Sequence, residues 1–205
     1  MEKNIIITIG RQFGSGGLEV ARQLGKKLGI PVFDRELILK AAQDSGFSPE
    51  LFEENDENRK MFSLKNILSQ GLNTLSDYIG GDELFKMQSE TIRNIAEQGS
   101  AIIVGRCSDY ILRDMENKVD VFLTAPFEAR VDRIVERMRV SAEEAEVIIQ
   151  KNDRQREVYY NYYTFGNWGV ASTYDLCIDS SVLGPSGTAD LIIDFARKAR
   201  LLPEK

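Results

Sequence analysis

Short runs of continuous apolar residues alternate along the chain with longer stretches in which apolar residues recur every three or four positions. Ile5, Ile6, Ile7 and Ile9 are β-branched and nearly unbroken, the pattern of a strand covered on both faces. Val20, Ala21, Leu24 and Leu28 then make one helical stripe that stops near Gly29. Residues 31–33 read as a short second strand. Asp34 stands where it can cap a helix whose stripe includes Leu37, Ile38 and Ala41. Ser48 followed by Pro49 marks a helix start, and from there to about Gly99 the pattern stays polar and helical. Residues 53–60 form a charged patch, read as a solvated face. Two amphipathic helices, 66–78 and 83–98, flank Gly80-Gly81. Residues 101–104, 119–123 and 174–178 supply three further strands. Ser141 and Glu144 form a capping box that opens a long helix reaching about Tyr163. Residues 184–187 read as a turn and 191–199 as a closing helix. Strands alternating with helices predict an α/β fold with a doubly wound parallel sheet. Its 205 residues suit one domain, 1–205, with 46–99 as an inserted helical module.

The junction between the first strand and helix is Gly14-Ser15-Gly16-Gly17. Glycines there permit a tight turn and leave backbone amides uncovered, and free amides at a helix start attract anions. A complete loop of the GxxxxGK[ST] type would carry lysine at 17 and a hydroxyl at 18. This chain has Gly17 and Leu18, and Gly25-Lys26 falls inside the helix. A GxGxxG reading fails at Glu19. Arg11, at the front of the turn, is the side chain placed to fold back and supply the missing charge.

Composition narrows the chemistry. The chain has 42% hydrophobic residues, enough for a core, and no apolar run near the ~20 residues of a membrane span. No secretory pattern opens it, so a cytoplasmic enzyme without membrane association is expected. A net charge of −6 argues against a general nucleic-acid binder. The chain has no histidine, which removes catalytic triads, Cys/His dyads and histidine metal sites. Cys107 and Cys177 are too few for a structural zinc site and are expected as buried thiols, with no metal held by protein side chains. Arginine, carboxylate, backbone amide and a bound Mg²⁺ remain, and phosphoryl transfer runs on that set.

Arginines gather where such chemistry would need them. Arg106 follows the third strand, at the sheet edge where open parallel sheets bind ligands. Arg130, Arg133 and Arg137 share one helical face; an anion between them would offset their mutual repulsion. Lys151, Arg154 and Arg156 lie along the long helix, where Asp153 could pair with Arg156. Tyr159, Tyr160, Tyr162, Tyr163, Phe165 and Trp168 follow closely, as packing or as an aromatic wall for a planar base.

Taken in order, ITIGRQFGSGG, IPVFDRELI, AIIVGRCSDYIL, VFLTAPFEARVDRIVER and DRQREVYYNYYT…YDLCIDSS resemble the cytidylate-kinase-like family, a branch of the P-loop nucleoside monophosphate kinases. The resemblance implies a three-layer nucleotide-kinase fold with about five parallel strands, an acceptor-binding helical insertion (46–99) and a lid (139–168). It implies that Gly14, Ser15, Gly16 and Gly17 surround the β-phosphate of ATP; Arg11, from its place at the front of the turn, is the further donor-site candidate. Asp34, Arg35 and Arg106 fall at the acceptor site. A hydroxyl acceptor would want a carboxylate as base, and Asp34 and Asp109 are the candidates. Arg133 and Arg137, at the start of the lid, and Arg154 and Arg156, on its far arm, would neutralise the transferred group. Mg²⁺ is implied alongside ATP. The chain departs from the family pattern at Gly17, at Leu18 and at Val104, which replaces the Asp of Asp-Gly-Arg. The expected function is an ATP-dependent phosphotransferase acting on a small acceptor, a nucleoside monophosphate first among them. The rivals are a nucleotide sensor that lost the chemistry and a kinase of another small metabolite.

Overall fold

The computed structural model describes residues 4–44, 81–199 and 201–202. The helix start at Ser48, the charged patch and the 66–78 helix lie outside the described residues, as does most of the 46–99 module.

Five strands form one parallel sheet in the order β2-β3-β1-β4-β5. They are β1 (Ile6–Arg11), β2 (Val32–Phe33), β3 (Ala101–Val104), β4 (Lys118–Thr124) and β5 (Leu176–Asp179). β1 lies in the middle, pairing Ile7 with Ile102 on one side and with Val119 on the other. Burial on both faces is why the isoleucines run without polar interruption.

Side-chain alternation divides them between two cores. Ile5, Ile7 and Ile9 join Ile102, Val104, Val121 and Leu123 beneath α1 (Gly17–Leu28) and α7 (Ser180–Lys198). Ile6, Ala101 and Ile103 face the other way, against α2 (Arg35–Asp44), α3 (Gly81–Gln98) and α4 (Ser108–Ile111). Each fully buried isoleucine contributes roughly 1.5–3 kcal/mol. A third, smaller cluster joins α5 (Phe127–Met138) to α6 (Ala142–Thr164) through Val131, Ile134, Ala145 and Ile149, with Phe13 packed on it.

Asp34 caps α2, its Oδ1 accepting from the amides of Glu36 and Leu37 at 3.1 and 3.2 Å. Ser141 and Glu144 close the expected capping box on α6. The closing helix begins earlier than the sequence pattern places it. It starts at Ser180, with Asp179 accepting from the Ser181 amide, and kinks at Gly184, where φ is 64°. Pro185 follows the kink, and a proline tolerates a first helical turn because it needs no amide partner there. Cys107 is buried, but Cys177 is exposed. β5 is an edge strand, and residue 177 lies on the face opposite buried Ile178.

Candidate active site

All five strands run the same way, so their carboxyl ends share one edge. The glycine turn leaves β1 at that edge. Gly14 and Gly16 adopt φ of 81° and 80°, the left-handed region that other residues reach at a cost. A Cβ on Gly14 would stand 3.1 Å from Arg130, and one on Gly16 3.1 Å from the Arg133 guanidinium. No side chain caps α1 at Gly16, so its first amides face outward. Ser15 Oγ donates to the Gln12 carbonyl at 2.9 Å. The buried Ser180 hydroxyl reaches the carbonyls of both Ser15 and Thr124.

Helices α5 and α6 grip the same loop from above. Arg130 donates to the Phe13 carbonyl at 3.2 Å and pairs with Asp153. Asp153 in turn accepts from the Phe13 amide at 2.6 Å. Arg133 donates to the Gly14 carbonyl at 2.6 Å, and Arg156 to the Arg11 carbonyl at 2.9 Å. The guanidinium groups of Arg137 and Arg156 each lie over the Phe13 ring, at 5.4 and 5.3 Å. Asp153 is therefore Arg130's partner rather than Arg156's, and Arg130 is a buried strut.

Beside the loop opens a cavity of about 200 Å³, lined by Arg11, Arg35, Arg106 and Arg156. Asp109, Asn152, Gln155, Tyr159, Tyr160, Trp168 and Tyr174 complete it. Burial, with Arg106 alongside, lowers the Arg35 guanidinium to about 10; burial likewise lowers Arg156 to about 10, although Asp153 resists. Arg11 falls well below the usual arginine value, first through burial and then through Arg156 and Arg106. Arg35 Nε and Nη2 and Arg106 Nη1 are buried donors without a hydrogen-bond partner among the described residues. Orphaned donors of this kind carry a free-energy cost, and an anion in the cavity would remove it.

Arg106 owes its aim to the backbone. Gly105, Arg106 and Cys107 are consecutive left-handed residues, with φ of 76°, 59° and 55°; such geometry in non-glycine residues costs energy and gathers at functional sites. The Arg106 guanidinium settles over the Tyr159 ring at 5.2 Å. Asp109 accepts from Tyr160 Oη at 2.7 Å, and burial raises its pKa above the ordinary aspartate value.

Four charged side chains expected at the site do not line the cavity. Arg154 is 71% exposed and pairs with Glu157. Two positions beyond Asn152, it is turned to the far side of the helix. Asp34 spends its carboxylate on the α2 cap. Arg133 and Arg137 stand over the loop rather than in the cavity. The aromatic cluster both packs and lines: Phe85 stacks on Tyr163 at 4.0 Å, while Tyr159 and Trp168 face the cavity. The sequence reading missed Asn152 and Gln155. Their signal was the spacing 152, 155, 156, 159, 160, one stripe of α6.

Sheet order, glycine loop and overlying helices define a P-loop kinase fold. A shikimate kinase of Acinetobacter baumannii, solved with shikimate, matches over 98% of this chain and 97% of its own at TM-score 0.55 and 13% identity, a likeness of fold alone. Residues 6–182 match the cytidylate kinase-like family, and the chain belongs to it. It is 28% identical to a cytidylate kinase of Sulfolobus acidocaldarius over 190 residues, 92% of each chain. A cytidylate kinase of Pyrococcus abyssi is 27% identical across 92% of this chain and 91% of that protein. An uncharacterized protein of Eubacterium ventriosum, known from a crystal structure, is 32% identical with TM-score 0.72, covering 96% of this chain and 99% of that one. The relatives named as kinases support a kinase-like phosphotransferase. Among the described residues no helix is long and apolar enough to cross a membrane.

Proposed function

We propose that the protein transfers the γ-phosphoryl group of ATP to a small acceptor that already carries a phosphate, a nucleoside monophosphate being the favoured class. One observation carries this reading: four arginines converge on a cavity of about 200 Å³ beside the glycine loop. That volume suits one small anionic acceptor, while the donor lies over the loop. The amides at the start of α1, in a backbone cradle set by Gly14 and Gly16, hold the donor phosphates together with Ser15 and Gly17. Arg35 and Arg106 offer the acceptor the N–H groups that have no partner among the described residues. Arg156, and Arg133 and Arg137 above the loop, balance charge on the moving group. Arg133 exchanges its carbonyl partner for a phosphate oxygen to do so, Arg156 keeps the Arg11 carbonyl and offers its other N–H groups, and residues 139–168 are assigned as the closing lid. An acceptor phosphate is ionised near neutral pH, so it attacks without a general base.

ATP and, typically, Mg²⁺ accompany this family's chemistry. The loop fits a polyphosphate, because Gly14 and Gly16, at φ of 81° and 80°, turn the backbone into a helix start whose amides no side chain caps. Leu18 offers no oxygen to the ion, and among the described residues no three His, Cys, Asp or Glu side chains cluster for a metal. Phosphate oxygens and water would hold it; bound there, it supplies neutralisation of phosphate charge.

Asp109 favours a second reading. It lines the cavity, and burial raises its pKa, as suits a general base toward a hydroxyl. Incubating the protein with MgATP and a panel of nucleoside monophosphates, nucleosides and hydroxy acids, followed by ³¹P NMR, separates the readings. Loss of one monophosphate with a second diphosphate appearing beside ADP is the expected result. A new monoester from a hydroxyl acceptor moves the assignment to a metabolite kinase. ATP binding with no transfer to any acceptor leaves a nucleotide sensor.

A further inference from the structure

The lysine-free loop contains a second anomaly that explains the first. Arg11 ends β1, and its side chain does not point away from the loop. Its stem crosses the start of α1: a Cβ on Gly17 would lie 2.9 Å from both Arg11 Cβ and Cγ. Its head crosses the end of β3: a Cβ on Gly105 would overlap Arg11 Nη1 and stand 3.0 Å from Cζ. Real Cβ atoms do not approach side chains so closely in a packed interior. Glycines at 17 and 105 therefore border a corridor filled by one arginine. Position 17 is where a complete phosphate loop carries its lysine. A lysine there and the observed Arg11 stem need the same space.

We propose that Arg11 is the displaced loop cation: it enters from the strand rather than the helix and touches the phosphoryl group between donor and acceptor. The inference rests on the phosphotransferase reading above. Three observations besides the corridor support it. The Arg11 stem lies against the donor loop while its head lines the acceptor cavity, so the side chain spans the gap the phosphoryl group crosses. The Arg11 carbonyl is held by Arg156 at 2.9 Å, which fixes the root of the side chain. Arg106 and Arg156 surround the head and Asp34 is its acidic neighbour, an excess of positive charge that an anion would balance. In the step itself, the bond from the γ-phosphorus to the β–γ bridging oxygen breaks, and its electron pair leaves with ADP. A new bond forms to an acceptor phosphate oxygen, and no proton is transferred. Arg11 neutralises the charge shared by leaving and arriving oxygens.

The test is a cation relocation. Arg11→Ala, Arg11→Lys, Gly17→Lys and the double variant Arg11→Ala/Gly17→Lys are compared by steady-state kinetics with MgATP and the monophosphate that the wild type accepts, with thermal melts as the fold control. Arg11→Ala is expected to lower kcat roughly 10²–10⁴-fold, the range of a lost transition-state cation, while KM for MgATP changes by less than about tenfold. Arg11→Lys falls between it and the wild type. Gly17→Lys alone loses activity, because both stems cannot fit. The double variant recovers at least about tenfold over Arg11→Ala, a rescue that a purely structural arginine would not give. The inference is overturned if folded Arg11→Ala keeps kcat within about threefold, or if the folded double variant is no better than Arg11→Ala. Should the wild type transfer phosphate to no acceptor, the phosphotransferase reading fails separately. Calorimetry with sodium tripolyphosphate then decides the cation site: about tenfold weaker binding to Arg11→Ala supports it, and unchanged binding rejects it.

Discussion

Asp109 is the residue at which site chemistry and stability meet. It lies in the cavity wall, accepts from Tyr160, and has its pKa raised by burial, with Asp120 adding to the effect. A raised carboxyl favours the protonated form in the folded state. Its ionisation therefore costs stability at neutral pH, and that cost vanishes below the unfolded value of about 4. Asn at this position still accepts from Tyr160 and carries no charge. We expect Asp109→Asn to be more stable than the wild type at pH 7 and to lose that advantage as pH approaches 4, measured by thermal melts across the range. A constant difference would mean that the carboxylate is not penalised where it stands. Arg106 and Arg156 were readable at this scale from strand ends and family spacing. Arg154 lies away from them on the far side of α6, because a motif records order along the chain, while a helix turns each residue about 100° from the last. The corridor for Arg11 was half legible. The missing lysine was plain, but that two glycines bracket the arginine is a contact across three elements, which no local pattern encodes.

Among the elements, α6 carries the largest share of the site: Asn152, Gln155, Arg156, Tyr159 and Tyr160 all come from it. Its start depends on the Ser141–Glu144 box, where Glu144 N donates to Ser141 Oγ at 3.2 Å and Ser141 N to Glu144 Oε2 at 3.1 Å. Ser141→Ala should cost about 1 kcal/mol in chemical denaturation, with little change in kcat at temperatures well below the melt. A loss of several kcal/mol would show that the cap holds more than its own helix. This box was legible because both partners lie within four residues. β3 was legible to the residue, since its four apolar side chains are bounded by Ser100 and Gly105. The start of α7 was obscured: Gly184, Pro185 and Gly187 read as a turn, whereas a single residue with φ of 64° absorbs the bend and the helix resumes. Local composition signals a break but not how much chain the break consumes.

The whole molecule sets an unusual relation between charge and pH. The chain is acidic overall, at −6, yet its cavity gathers four guanidinium groups. A local positive field inside an acidic body attracts small anions to the cavity. The chain has no histidine, and Arg35 and Arg156, lowered only to about 10, keep their charge across the neutral range. The acid limb of kcat/KM should follow the second ionisation of the acceptor's own phosphate, near pH 6. The alkaline limb should fall as Arg35 and Arg156, lowered to about 10, lose their protons. The sign follows from the direction of the shift: lowered basic groups discharge earlier than ordinary arginines, and anion capture weakens as they do. A profile of kcat/KM from pH 5.5 to 10.5, with ionic strength fixed, checks both limbs. A limb near pH 8 would require a group outside this set.

The contact between the Arg11 stem and Gly17 also bears on descent. A substitution placing lysine at 17 while Arg11 remains would set two side chains in one space, and loss of Arg11 alone would leave the gap without a cation. Neither change is tolerable by itself, so the route back to a lysine loop crosses a valley of impaired intermediates. Lineages that carry the strand-borne arginine with glycine at 17 should then keep the pair together or exchange both, and the two positions should vary as one inherited unit.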